Sequence, residues 1–442
     1  MALAVLLTLL AIPGFASAPA PSLAPDRPPQ QGQQEVYLEL RNRAARPVTL
    51  ALPPLLSQLG AEQDAIDLRR VLWDDLYNSM VFDMVPAEHF PPASDGTPQW
   101  LAWRKTGAEA LLQGRVRRTG TDLLVEFRLF DVKSGEQVTG KYYTEPVSLL
   151  RRIAHAFADE AVLYYTGIPG VASSQIAFVS DRAGPKEIFI SDYDGHNQRR
   201  ITVDGFLSLG PAFSPTADRI AYVSYRMHEN VPDVDISLLH KGGGVPTPIT
   251  TTDGTDTAPA WSPDGAWLAF SSSRDGNAEI YIMRPDSSDV RRLTQNSAID
   301  TSPTWSPNSR QIAFMSNRAG SQHLYTMGID GTNLRRLHVQ GSQVDNPDWN
   351  PVQADLIAYT ASTGGNNFDI FVYSLRSGVS TPLAQGFGRD EAPAWSPDGR
   401  QIVYESTQGG VTQIYAMGID GSRVRKLTEQ GNNSNPAWGG KG

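Results

Sequence analysis

Pro259-Ala260-Trp261-Ser262-Pro263-Asp264-Gly265 returns as Pro303-Thr304-Trp305-Ser306-Pro307-Asn308 and again as Pro393-Ala394-Trp395-Ser396-Pro397-Asp398-Gly399. Weaker copies stand at Pro211-Ala212-Phe213-Ser214-Pro215, Pro347-Asp348-Trp349-Asn350-Pro351 and Pro436-Ala437-Trp438. The first prolines of the six copies lie 48, 44, 44, 46 and 43 residues apart. A period of about 40–50 residues is the mark of a repeat architecture. β-patterned runs of the kind that follows the phrase begin near Ile176, Ile220, Trp267, Ile312, Leu356 and Ile402. Further short strands of the type Glu279-Ile280-Tyr281-Ile282-Met283 follow, with turns such as Gly328-Ile329-Asp330-Gly331. Short strands at this spacing predict a β-propeller of six blades over residues 171–442, one four-stranded sheet per repeat. The first blade lacks an inner strand ahead of Ile176, and Pro436-Ala437-Trp438 is an inner strand without a blade. The simplest closure lets the C-terminal strand complete the first blade, leaving no open edge.

The repeated residues have structural reasons to recur. The aromatic is large enough to fill the gap between neighbouring twisted sheets, and the Pro with Asp-Gly or Asn-Ser makes a tight turn between the first two strands. The phrase itself is therefore scaffold.

Ahead of the repeats the patterning changes. Leu3 to Ile12 is an apolar run broken by Pro13-Gly14 and followed by Ala16-Ser17-Ala18, which reads as a signal peptide over 1–18, although no Lys or Arg precedes the run. It is shorter than the ~20 apolar residues that span a bilayer, and the mature protein is expected to be soluble, with no membrane insertion. Residues 19–34 are rich in Pro and Gln and read as an extended linker. Residues 35–168 mix strand and helix patterns, as an α/β domain does. Strands are expected at Glu35–Leu40 and Pro47–Leu52, and a helix at Asp64–Met80 with Ile66, Leu68, Val71, Leu72, Leu76 and Met80 inward and Asp64 as its cap. A helix or strand entry at Ala108–Gln113 precedes three strands, Gln113–Arg118, Leu123–Val132 and Glu136–Tyr143. A helix from Pro146 to Gly167 then carries Leu149, Leu150, Ile153, Phe157, Val162 and Leu163 inward.

The charge balance, 38 Lys and Arg against 47 Asp and Glu for a net −9, argues against nucleic acid or an anionic membrane as the main partner. With no cysteine, disulfides, thiolate metal sites and a Cys nucleophile are excluded. No Gly-x-Ser-x-Gly, no phosphate-binding Gly-rich loop and no His-x-x-x-His pair occurs. The seven histidines, His89, His155, His196, His228, His240, His323 and His338, are scattered, so no metal site and no cofactor is expected. Asp192-Tyr193-Asp194-Gly195 has part of a calcium loop but lacks the following Asp or Asn and the distal Glu, and reads as a turn. Just before the inner strands stand Asp256, Asp300, Asp345, Asp390 and Asn433, with Ser208 in the earliest repeat, and Glu391 follows Asp390. These positions should ring one mouth of the channel, where acids attract a cation or a basic partner. The local alternative pairs them with Arg182, Arg274 and Arg318, which lie in loops opening on the same face.

With these features the chain resembles the TolB family of the Tol–Pal cell-envelope system. The resemblance rests on His155-Ala156-Phe157-Ala158-Asp159-Glu160, on Thr166-Gly167-Ile168-Pro169-Gly170, on Ser191-Asp192-Tyr193-Asp194-Gly195 and on the repeats. It implies a periplasmic, non-enzymatic, monomeric scaffold that supports outer-membrane integrity and constriction at division. A Pal-like peptidoglycan-associated lipoprotein would dock at Thr255, Asp256, Thr257, Ala258, Asp300, Thr301, Ser302, Asp345, Asn346, Asp390 and Glu391. A TolA-like inner-membrane protein would bind Glu35, Val36, Tyr37, Leu38, Glu39, Leu40 and Arg41, here preceded by the Pro/Gln extension. Two other readings compete: a TolB-like propeller enzyme, a glycan lyase or hydrolase, and a periplasmic carbohydrate-binding or sensor module.

Overall fold

The computed structural model describes residues 46–441 apart from 59, 93–97, 204, 206, 229–230, 365–366 and 385–387. The leader, the linker and the Glu35–Arg41 segment lie outside the described residues.

The N-terminal region is a six-stranded sheet backed by helices. In chain order it runs β1 (Val48–Ala51), β2 (Leu56–Ser57), α1 (Glu62–Asn78), β3 (Phe82–Met84), α2 (Trp100–Lys105), β4 (Ala110–Thr119), β5 (Asp122–Asp131), β6 (Gln137–Pro146) and α3 (Leu150–Thr166). The sheet order is β3-β1-β4-β5-β6, with β2 pairing β4. Strands β1, β3 and β4 are mutually parallel, and β4, β5 and β6 form antiparallel hairpins. Helix α1 buries Leu68, Val71, Leu72 and Leu76, one stripe at helical spacing. Several expectations shift. Ile66 is 60% exposed, because it falls off that stripe. Asp64 lies inside the first turn of α1, behind Ala61, and pairs with Arg118 rather than capping. Ala108–Gln113 and the strand after it form one ten-residue strand, β4. Helix α3 buries Ile153, Phe157 and Val162 but leaves Leu163 38% exposed. It ends at Gly167, whose φ of 73° is the left-handed cap glycine permits.

Six four-stranded antiparallel sheets follow. Their inner strands are Ser208–Phe213, Asp256–Trp261, Asp300–Trp305, Ser342–Trp349, Asp390–Trp395 and, for the first blade, Asn433–Lys441. The last of these pairs antiparallel with Ser174–Ser180, so the C-terminal strand closes the ring. Second strands are almost wholly buried (Ile312, Ala313, Phe314 and Met315 are each 0% exposed), as strands stacked between two sheets must be. The repeated aromatics join neighbouring blades. Trp305 Nε1–H donates to Ala260 O at 3.0 Å and Trp395 Nε1–H to Asp348 O at 3.0 Å, each reaching the preceding inner strand. In the turn, Ser262 Oγ donates to Asp264 Oδ1 at 2.6 Å, and Ser396 repeats this with Asp398 at 2.6 Å.

One core is continuous from the N-terminal sheet into the first and last blades, joining Phe127, Phe157 and Val162 to Phe178, Tyr193, Leu427 and Trp438. Fully burying each such side chain contributes about 1.5–3 kcal/mol. Polar ties reinforce it: Arg423 pairs with Asp83 at 2.9 Å, and the Asp159 carboxylate accepts the Ala172 N–H at 2.8 Å and the Ser173 N–H at 3.2 Å.

Candidate functional site

The six inner strands converge on an axial channel of about 550 Å³. Each carries the same irregularity. A residue with positive φ precedes the proline: Gly210 (52°), Ala258 (51°), Ser302 (52°), Asn346 (48°), Ala392 (51°) and Asn435 (47°). At these points the ladder register shifts, so every inner strand bulges at the same level. A bulge bends a strand and re-aims its side chains, and here it turns the residues beside it toward the mouth.

The residues expected to ring that mouth divide into two groups. Asp256 and Asp300 are the first residues of their strands and are buried (1% and 0% exposed). Arg274 pairs with Asp256 at 3.1 Å, and Arg318 with Asp300 at 2.7 Å. In the first blade Arg182 Nη2–H donates to Asn433 Oδ1 at 2.8 Å. Each of these arginines also donates from Nε to a serine two residues before it, Ser180, Ser272 or Ser316. Each lies over two stacked rings of its own blade, Phe178/Phe189, Phe270/Tyr281 or Phe314/Tyr325. The set is a repeated clamp of serine, arginine, ring pair and acid or amide. The local pairing therefore accounts for Asp256, Asp300 and Asn433, which are internal to the wall.

Blades five and six lack the clamp arginine. Thr363 and Gln408 stand at that position of the sequence. Val344 occupies the Asp300 position of blade five, and Asp345 sits one residue later, level with Thr301 and Glu391. Asp345 is half-buried and accepts the Asn346 N–H at 2.8 Å and the Ser302 hydroxyl at 3.3 Å. Burial, with Glu391 nearby, raises its pKa. Burial, Asp369 and Glu391 likewise raise Asp390. Glu391 pairs with the exposed Arg389 at 2.7 Å. Thr255 is exposed and its N–H donates to Ser273 Oγ at 2.8 Å, while Thr257, Ala258, Thr301, Ser302 and Asn346 are half-buried around the bulges.

Two further acids, Glu405 opposite Glu391 and Asp348 deeper along the channel wall, were not singled out from the sequence. Glu405 lies directly across the ladder from Glu391, an unfavourable like-charge pairing. Its carboxylate accepts the Asn435 N–H at 2.6 Å, and burial raises its pKa. Asp348 accepts the Trp395 N–H at 2.7 Å and the Thr304 hydroxyl at 3.2 Å, and burial pushes it up to about 7. Both break the repeat, Asp348 replacing the small residue of Pro-Ala-Trp and Glu405 standing where blade four has Met315. That departure was their readable signal. The outcome is a lopsided mouth, clamped and neutralised on blades one, three and four and crowded with carboxylates on blades five and six.

A family model described as the TolB β-propeller domain matches residues 164–442, and one described as the TolB amino-terminal domain matches residues 36–138. The Tol-Pal system protein TolB of Gluconobacter oxydans is 36% identical over 419 residues, covering 92% of this chain and 89% of that protein. The protein of the same name from Desulfosudis oleivorans is 35% identical over 272 residues, covering 59% of this chain and 60% of that protein. The crystal structure of TolB from Acinetobacter baumannii superposes with a TM-score of 0.76 at 28% identity, covering 90% of this chain and 97% of that one.

Proposed function

Because the chain belongs to the TolB family of the Tol–Pal system, we propose that it acts in the periplasm as a scaffold that docks a Pal-like peptidoglycan-associated lipoprotein on the channel mouth. The docking is centred on blades five and six. The observation that carries this reading is the crowding of Asp345, Asp390, Glu391 and Glu405 there without clamp arginines. Carboxylates held close together in a partly desolvated arc gain most from a partner that brings Lys or Arg to them. Thr301, Ser302 and Asn346 border the arc, and Thr257 and Ala258 continue the mouth on blade three; together they supply small contact surface. Asp256 and Asp300 hold the wall beneath it. The TolA-like partner takes the Glu35–Arg41 segment, and together the two contacts link inner- and outer-membrane components during envelope constriction. Among the described residues no helix is long and apolar enough to cross a membrane, and the short apolar leader supports export.

The test is titration calorimetry with a purified Pal-like lipoprotein lacking its lipid. Glu391→Lys and Asp345→Lys are each expected to weaken binding by at least ~10-fold, and wild-type affinity is expected to fall with added salt. Wild-type affinity in both variants would remove the mouth of blades five and six as the docking site.

A further inference from the structure

The rim position just ahead of the inner strand is held by Asn432, Leu207, Thr255 and Ile299 on blades one to four. Each accepts one N–H at its carbonyl oxygen, from Asp181, Tyr225, Ser273 and Asn317 respectively. Blade six has Arg389 at the same place, the one cation of the five. Its carbonyl accepts the Thr407 N–H at 3.0 Å, and its own N–H donates to Thr407 Oγ1 at 2.8 Å. With the backbone fixed on both sides, the side chain is aimed as well. The guanidinium forks onto Glu391, Nε–H to Oε2 at 2.7 Å and Nη2–H to Oε1 at 2.8 Å. It also lies 4.2 Å from the centroid of the Phe368 ring. Phe368 belongs to blade five, whose second and third strands, Leu356–Gly364 and Asn367–Ser374, are longer than Gln311–Ser316 and His323–Gly328 of blade four. The extra length brings Phe368 to a parallel β-bridge with Arg389. Blade two repeats the bridge with Val234 and Thr255, which bring neither ring nor charge. Of the two bridges, the one between blades five and six alone makes a seat of ring and carboxylate. A planar fork that also stacks is what a guanidinium offers and an ammonium does not.

We propose that Arg389 is an internal stand-in for the partner's cation: it fills the Phe368–Glu391 seat in the free protein, and an arginine of the docked partner takes that seat from it. The inference rests on the reading of blades five and six as the docking arc. The Arg389 side chain is 47% exposed and that of Glu391 20%, so the arginine can turn out to water while the acid keeps its place in the wall. The exchange gives up the protein's own ion pair before the partner's forms, so Arg389 lowers affinity for any cationic partner. The loss is smallest for a partner that brings a guanidinium, because only that group restores both the fork and the ring contact. Arg389 is in this sense a specificity-determining residue, since it penalises the lysine-bearing competitor more than the arginine-bearing partner. Its charge reaches beyond Glu391. Glu405, directly across the ladder from Glu391, is raised by burial, and Arg389 is among the charges that offset the rise. In the free protein the stand-in therefore relieves the like-charge crowding that the partner relieves once it has docked.

The experiment is calorimetry of the full-length protein with the lipid-free Pal-like lipoprotein, each variant first shown to be folded by circular dichroism. Arg389→Ala is expected to bind roughly 3–10-fold tighter than wild type, with a steeper loss of affinity as salt is added. Arg389→Lys keeps the charge without the fork, and its affinity should fall between the two. In a Glu391→Gln background, Arg389→Ala is expected to change affinity by less than ~2-fold, because no carboxylate is left for it to free. Equal or weaker binding in Arg389→Ala, with Glu391→Lys still damaging, would overturn the stand-in and leave the docking site in place. Wild-type affinity in Arg389→Lys would overturn the seat's preference for a guanidinium. Wild-type affinity in both Glu391→Lys and Asp345→Lys would remove the docking site itself, and the stand-in with it.

Discussion

Blades four and six share a serine, a ring pair and an acid at matching positions, and the clamp is completed by an arginine in blade four alone. Blade four has Ser316, the ring pair Phe314/Tyr325 at 5.9 Å, the buried Asp300 and the arginine that joins them, Arg318. Blade six has Ser406, the ring pair Tyr404/Tyr415 at 5.9 Å and Asp390, but Gln408 in place of the arginine. Where the clamp is complete the acid belongs to the wall. Where it is incomplete the acid stays half-exposed, its pKa raised by burial and by neighbouring carboxylates. The same repeat thus serves as scaffold or as docking surface according to whether its charge is neutralised internally. The most damaging way to disturb this division is to open a clamp. Arg318→Ala leaves Asp300 wholly buried with only Asn296 Nδ2–H, at 2.9 Å, on its paired oxygen. Breaking a buried pair on one side costs about 3–5 kcal/mol. Urea denaturation should show a loss of that order, while the equivalent Arg389→Ala, at an exposed pair, should lose under ~1 kcal/mol. Comparable losses in both would contradict the division.

A smaller effect concerns pH. Asp348 in blade five is pushed up to about 7 chiefly by burial, and Asp235 in blade two reaches about 7 through burial and then the neighbouring Asp233. A carboxyl whose folded pKa is raised adds stability that is fully present below its unfolded pKa and is lost as pH rises through the folded value. Between roughly pH 4 and 7 these two groups therefore favour the folded state increasingly as pH falls. The unfolding free energy should be roughly 1–3 kcal/mol higher at pH 5.5 than at pH 8, with part of the difference removed in Asp348→Asn. A protein equally stable at both values, or less stable at pH 5.5, would show that these acids are not held in the protonated-favouring environment described.

The repeats made the propeller legible because period and strand alternation are local signals. Ring closure followed from counting strands, since an inner strand without a blade and a blade without an inner strand can satisfy each other. The split of the acid ring was half legible. Arg182, Arg274 and Arg318 were visible as possible partners, but burial decides between pairing and display, and burial depends on the bulge and on rings contributed by two other strands. Asp345 reads with Asp300 as the acid ahead of the phrase, but it stands one residue nearer its proline, and the ladder sets it level with Thr301. Asp348 and Glu405 lie within the strands rather than ahead of the phrase, so only their departure from the repeat marks them. The meeting of His155 with Asp194 was illegible for a simpler reason. His155 and Asp194 lie 39 residues apart in sequence and meet only when α3 packs on blade one.

The smallest expected effect is also the most discriminating, because it completes blade six instead of breaking blade four. Gln408 N–H already donates to Ser406 Oγ at 3.2 Å, as Arg318 N–H does to Ser316 Oγ at 3.3 Å. The loop therefore has the conformation that a clamp arginine needs. In Gln408→Arg the guanidinium would lie over Tyr404 and Tyr415 and reach Asp390, as Arg318 reaches Asp300. A cation–π contact and a half-exposed ion pair together contribute about 0.5–1 kcal/mol, so Tm should rise by a degree or two. Affinity for the Pal-like partner should fall several-fold, because one carboxylate of the arc is neutralised and screened. Stability and binding then move in opposite directions from one substitution. If the variant gained stability and bound the partner as wild type does, Asp390 would be part of the wall like Asp300, and the docking arc would contract to Asp345 and Glu391.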